Sequence, residues 1–318
     1  MIPVAEWRPA TPDDASAIVA LQDACFAVDD TFREVESEIR ERFEIPGMNA
    51  DLDSLVAVMP EGDVLASIWS YVADTAETQW TGSSEIHIHP DYRTPEVEGF
   101  ALDWWENRTT TRLLAKDDDL PKKLAHSVWG QQTDRLAFLE ARGYRVERYF
   151  DELVRDLDAP IGSTDLSNGL RMLSIRDANP DDDRIVHNEA FRDHWGSQPL
   201  SRERWATFTN EFYLPDASYV VYDGDRPVAH VMSGCWPHDF EDRGWPHAWV
   251  LSLGVVESHR GMGIAKALLN RAMSDFKAMG MEKAVLDVDS ENPTGAYALY
   301  EGVGFSRDRR TMSVAKPI

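Results

Sequence analysis

A similar order of local signals runs twice along this 318-residue chain. In the first half, Trp7 to Asp14 leads into the helical spacing Ala17, Ile18, Leu21, Cys25, Phe26. In the second, Leu170 to Arg176 and then Asn179-Pro180-Asp181 lead into Ile185, Val186, Glu189, Ala190, Phe191. Each helix is opened by a Pro/Asp cluster, which supplies a cap and negative charge at the positive helix end. A β-hairpin pattern follows in each half. The first is Ser54–Val58, a Pro60-Glu61-Gly62-Asp63 turn and Val64–Trp69; the second is Tyr219–Tyr222, an Asp223-Gly224 turn and Pro227–Val231. Each half then has a strand, a helix, another strand and a short helix ending in glycine and an aromatic. Those endings are Gly143-Tyr144 and Gly304-Phe305, an offset of 304 − 143 = 161; between Arg93 and Arg260 it is 260 − 93 = 167. Similar offsets at separate landmarks predict a tandem repeat of one α/β domain, spanning residues 1–160 and 168–318. The polar stretch Asp158 to Thr164 is the natural linker.

Charge excludes several classes of partner. With 56 acidic against 32 basic residues the net charge is −24, a field that repels phosphate backbones and anionic lipid, so neither nucleic acid nor a membrane surface is expected as a partner. No stretch approaches the roughly 20 apolar residues of a membrane span, and the first residues lack a basic flank and apolar run. Cys25 and Cys235 are too few for a disulfide framework or a four-thiolate zinc site. They are expected to be buried thiols in a reduced cytoplasm. Nothing in the sequence sets an oligomeric state.

The most specific segment joins the predicted strand Trp249–Val256 to a helix through Arg260-Gly261-Met262-Gly263-Ile264-Ala265-Lys266. Ile264, Ala267, Leu268, Ala272 and Met273 keep the helical period. A helix N-terminus leaves backbone N–H groups without partners and carries partial positive charge, so it suits phosphate. Gly261 and Gly263 let backbone approach the oxygens, while Arg260 and Lys266 add local positive charge. The spacing fits neither the nucleoside-triphosphate loop nor the dinucleotide fingerprint.

What the segment resembles is the coenzyme A signature of the GNAT superfamily of N-acetyltransferases, Arg/Gln-x-x-Gly-x-Gly/Ala, matched at each defined position from Arg260 to Ala265. The resemblance continues through Leu286–Asn292, then Ala296–Tyr300, then Gly304-Phe305. It implies a mixed, mostly antiparallel twisted sheet flanked by helices in each half, and acetyl-CoA as co-substrate. It also implies that the backbone of Leu253, Gly254 and Val255 pairs with the pantetheine arm, that the amides from Gly261 through Met262, Gly263, Ile264 and Ala265 to Lys266 hold the diphosphate, and that Asn292 contacts the pantetheine. Tyr300 stands where the family often places its general acid, beside the departing sulfur.

The base is left open by the sequence. Many relatives carry a glutamate at the start of the strand before the turn, where this chain has Ala248-Trp249. His247, with the most suitable ordinary pKa, heads the candidates, followed by Asp239, Glu241 and Asp287. In the first half the equivalent turn reads Arg93-Thr94-Pro95-Glu96-Val97-Glu98, with carboxylates at the glycine positions and Leu139 at the tyrosine position. That half is expected to have lost coenzyme binding. A tandem arrangement with the second copy active resembles the mycothiol synthase-like acetyltransferases. The expected activity is therefore acetyl transfer to the primary amine of a small molecule. A non-catalytic acetyl-CoA sensor, or acetylation of protein N-termini or lysines, stands as the alternative.

Overall fold

The computed structural model describes residue 2 and residues 5–167, 169–291 and 295–318. The chain forms two compact units, residues 1–147 with 312–318, and residues 148–311. Both are mixed α/β, as expected, and both are built on one plan.

In the first unit β1 (Glu6–Arg8) leads to α1 (Ala15–Asp29), α2 (Glu36–Glu41) and the single turn α3 (Ala50–Asp53). Then come β2 (Ser54–Val58), β3 (Val64–Val72), β4 (Trp80–Ile88), α4 (Pro95–Leu114), β5 (Lys122–Trp129) and α5 (Thr133–Ala141). The strands lie in the order β1-β2-β3-β4-β5. All pairs are antiparallel except β4 with β5, whose parallel connection needs the long α4 as its crossover. β6 (Arg145–Asp156) begins in this unit and runs on into the next.

The second unit repeats the plan with β7 (Leu170–Ser174), α6 (Asp182–Ala190), α7 (Arg202–Ala206), β8 (Tyr219–Asp223) and β9 (Arg226–Gly234). It continues with α8 (Asp239–Arg243), β10 (His247–Val255), α9 (Ile264–Ala278), β11 (Lys283–Asp289) and α10 (Ala296–Glu301). The order is β7-β8-β9-β10-β11, again antiparallel apart from the β10–β11 pair bridged by α9. The last strand, β12 (Ser306–Pro317), begins in this unit.

The trailing strands are shared out differently from the sequence order. Residues 148–156 of β6 belong to the second unit, where β6 pairs antiparallel with β11 from Asp156↔Lys283 to Phe150↔Asp289. Residues 312–318 belong to the first, where the chain ends with Ile318 N–H donating to the Lys122 carbonyl at 3.1 Å. Local pattern predicts both strands but not which sheet each completes.

Each short helix closes as its glycine predicts. Gly143 and Gly304 adopt φ of +93° and +96°, which lets Tyr144 N–H reach the Leu139 carbonyl and Phe305 N–H the Tyr300 carbonyl. Tyr144 and Phe305 then bury their rings in the two cores. Asp158 to Thr164, expected as the linker, is free of helix and strand and falls within the second unit. Cys25 and Cys235 are both buried free thiols. No helix among the described residues is long and apolar enough to cross a membrane.

Candidate active site

The site grows from the way β10 and β11 part. They pair in parallel only from His247↔Lys283 to Val250↔Leu286, although β10 continues to Val255 and β11 to Asp289. A bulge between Val250 and Ser252 in the β10–β9 ladder bends β10 at the same point. Beyond it, β10 keeps β9 on one edge, from Ser252↔Met232 to Val255↔Ala229, and has no strand partner on the other among the described residues. Leu253 and Val255 are part-buried on this stretch.

The turn after β10 is open. Gly261 and Gly263 take φ of +76° and +78°, and a side chain built on either would meet no atom within 4 Å. Gly263 caps α9, whose first internal bond runs from Ala267 N–H to the Gly263 carbonyl at 3.0 Å. Among the described residues the six amides from Gly261 to Lys266 therefore have no acceptor, backbone or side chain. Six consecutive free N–H groups at the positive end of a 15-residue helix, with Lys266 exposed on the first turn, suit a diphosphate. Arg260 is placed differently from expectation. Its guanidinium donates to the Val255 carbonyl at 3.2 Å and the Ala190 carbonyl at 3.0 Å, tying the turn to β10 and to the end of α6.

Gly254 owes its identity to α6. A side chain there would lie 3.0 Å from Ala190 Cβ and 3.1 Å from both the Phe191 and His230 rings. Beside it, Ser252 Oγ sits between His187 Nδ1 at 3.0 Å and His230 Nε2 at 3.1 Å. Burial pushes His187 down to about 4 and His230 well below its ordinary value, so both rings are neutral and fasten the bulged strand to α6.

Tyr300 lies on α10, which packs on β11. The residue is buried, and its hydroxyl makes no hydrogen bond among the described residues. Burial alone pushes its pKa up to about 12. Asn292 falls outside the described residues.

His247 is not placed to serve the open part of this site. It sits at the first β10–β11 pair, three residues before the strands separate, or roughly 10 Å at strand rise. The residue is wholly buried among Phe240, Trp245 and Trp249, and burial pushes its pKa down to about 4. Among the described residues its ring makes one hydrogen-bond contact, from Nδ1 to the Trp245 carbonyl at 3.3 Å. The sequence points to it through a histidine's intrinsic pKa, which burial lowers.

The corresponding region of the first unit is closed. β4 and β5 also pair over only four residues, Trp80↔Lys122 to Ser83↔Ala125. There, however, the buried Trp105 indole donates to the Ser83 carbonyl at 3.1 Å, and Ser84 Oγ bonds the buried His126 ring, which packs tilted against Trp105 with ring centroids 4.3 Å apart. The 167-residue offset that relates Arg93 to Arg260 relates Trp105 to Ala272, so the second unit has a methyl where the first has an indole. The first-unit turn is self-satisfied. Thr94 Oγ1 accepts from Val97 N–H, Arg93 pairs with Asp29 at 2.8 Å, and Glu96 and Glu98 occupy the first turn of α4.

A parallel strand pair that parts after four residues, followed by an open glycine turn on a helix N-terminus, defines a coenzyme A-dependent acyltransferase fold. Residues 184–305 match the Acetyltransferase (GNAT) family, and the chain carries an acetyltransferase domain of that family, which uses acetyl-CoA. Mycothiol acetyltransferase of Salinispora arenicola (strain CNS-205) is 29% identical over 253 residues, covering 77% of this chain and 76% of its own. Among solved structures, a GCN5-related N-acetyltransferase from Sphaerobacter thermophilus superimposes with a TM-score of 0.75 at 22% identity, over 100% of this chain and 96% of that one. A tandem GNAT protein from the clavulanic acid biosynthesis pathway does so with 0.70 at 14%, over 98% of each chain. Both carry the same fold.

Proposed function

We propose that the chain transfers the acetyl group of acetyl-CoA directly to a primary amine of a small molecule, in the cytoplasm, with residues 168–318 as the catalytic part. The run of six amides from Gly261 to Lys266 without a partner among the described residues, after a strand whose edge beyond Val250 is unpaired by any of them, carries this reading. The net charge of −24 adds an attraction for cationic amines, and similarity to a relative named mycothiol acetyltransferase supports a small-molecule acceptor. The first unit is assigned a non-catalytic role, because Trp105 and His126 fill the space between β4 and β5 and Thr94 satisfies the α4 end.

Acetyl-CoA, when bound, supplies an activated acyl group. The amides of Gly261, Met262, Gly263, Ile264, Ala265 and Lys266 hold its diphosphate, and the β10 edge at Leu253, Gly254 and Val255 receives the pantetheine as an added strand. Tyr300 would serve as hydrogen-bond donor to the departing sulfur. A phenol near 12 facing a thiol near ~8.5 makes full proton transfer uphill by about 5 kcal/mol, so Tyr300 acts by hydrogen-bond donation. Tyr300→Phe is expected to lower turnover about tenfold, leaving acetyl-CoA affinity within about twofold by calorimetry. An unchanged rate would return Tyr300 to a packing role.

Calorimetric titration with acetyl-CoA, together with thiol release over a panel of amines, tests the whole reading. One coenzyme site per chain and amine-dependent release are expected. Binding without release on any amine would favour a sensor, and no binding would overturn the assignment.

A further inference from the structure

The β11 strand offers one carboxylate that the reading above does not use. Asp287 is the first β11 residue after the last β10–β11 pair, Val250↔Leu286, and so stands where the two strands separate. Cross-strand partners share a face of a sheet, and residues two apart on one strand do so too. Trp249↔Val285 therefore puts Asp287 on the Trp249 face, while Ala248, Val250, Ala284, Leu286 and Val288 form the core on the other, with α9. The same pairing sets Glu152 of β6 directly opposite Asp287.

The neighbouring carboxylates are all engaged. Asp151 is clamped by Arg310 at 2.6 Å, and Asp289 accepts from Glu291 N–H at 2.9 Å. Glu152 is held by Arg243, which also reaches Asp308 at 3.1 Å. Asp287 alone of these accepts no hydrogen bond and makes no ion pair among the described residues. It is also the one that is exposed; Asp151, Glu152 and Asp289 are buried.

We infer that Asp287 is the proton acceptor for the attacking amine, with Glu152 and Arg243 as the pair that positions and tunes it. This rests on the acetyltransferase reading above. The amine nitrogen forms its bond to the acyl carbon as the C–S bond breaks, and that bond's electron pair leaves on sulfur. The proton shed by nitrogen passes to the Asp287 carboxylate and from there to water. The charged neighbours act in opposite senses. Crowding by protein disfavours the carboxylate most, Glu152 adds like-charge repulsion, and Arg243 opposes both, leaving Asp287 near 7. Asp308 and Arg309 on β12 act on Glu152, raising and lowering its pKa respectively. His247, on the same face, is neutral. A base near the working pH combines a large carboxylate fraction with useful basicity.

Three chains test the inference: wild type, Asp287→Asn and Glu152→Gln, each assayed by thiol release on the panel amine that wild type uses fastest. Wild-type kcat/KM is expected to rise with pH through about 7, because the carboxylate is the active form. Asp287→Asn is expected to lose about 100-fold and to lack that limb, with acetyl-CoA affinity unchanged by calorimetry. Glu152→Gln is expected to shift the limb to lower pH, since loss of the neighbouring charge eases ionisation. An Asp287→Asn rate within threefold of wild type, or a limb that stays put in both variants, would overturn the inference and leave the acetyltransferase reading standing. Wild-type binding without release on any amine would instead remove the reading on which it rests.

Discussion

Gly263→Glu is expected to weaken acetyl-CoA binding by at least about 100-fold. Two costs add. The left-handed φ of +78° costs a non-glycine residue about 1 kcal/mol. A carboxylate about 5 Å from a phosphate charge adds repulsion of about 3 kcal/mol at an effective dielectric constant near 20. At about 1.4 kcal/mol per decade, the charge term alone supplies the expected loss. Asparagine tolerates left-handed backbone and carries no charge, so Gly263→Asn should lose about tenfold or less. Nothing lies within 4 Å of the new Cβ, so beyond that backbone strain neither variant should disturb folding. Calorimetric titration of both checks the argument, and equal affinities would show that no diphosphate rests on this turn. The first half carries glutamates at the equivalent turn already, so its sequence makes the same point in advance.

The second large effect is on stability. Gly254→Val is expected to destabilise the second unit by about 3 kcal/mol, lowering its melting temperature by roughly 6–12 °C. The contacts at 3.0 and 3.1 Å come from Ala190, Phe191 and His230, three groups packed where α6 meets the sheet, and none is the free end of a flexible chain. Relief requires α6 to move, and the Ala190 carbonyl that receives Arg260 would move with it. Coenzyme affinity should therefore fall too. Gly254→Ala should cost about half as much, and Ala190→Gly should recover part of the loss in a double-mutant cycle read by thermal unfolding. Full additivity of the two substitutions would sink the packing explanation.

Much of the candidate site's local geometry is legible in the sequence. Gly261, Gly263 and the helix that follows are local features. A turn needing positive φ takes glycine, and a helix beginning at once leaves its first amides free, whatever the rest of the chain does. The short helices ending in Gly143 and Gly304 were legible for the same reason, since backbone geometry at one residue decides them. The hairpin at Asp223-Gly224 and the strands around it were also as expected, because period-two patterning and turn chemistry both act over a few residues.

What the sequence by itself determined, then, is the repeated plan, the open turn and the unequal state of its two copies. Tertiary structure decided the roles that depend on distant neighbours. His247 has a histidine's intrinsic pKa, and only the aromatic shell of Phe240, Trp245 and Trp249 makes it a buried neutral ring. Arg260 carries the signature charge, yet packing turns it onto the carbonyls of Val255 and Ala190. Trp105 closes the first unit because folding brings it to Ser83 and His126. Asp287 gains its place from where β10 and β11 stop pairing and from Glu152 across the sheet. Local signals set φ and period, but burial, partner charge and strand exchange arise only when residues far apart in the chain are brought together.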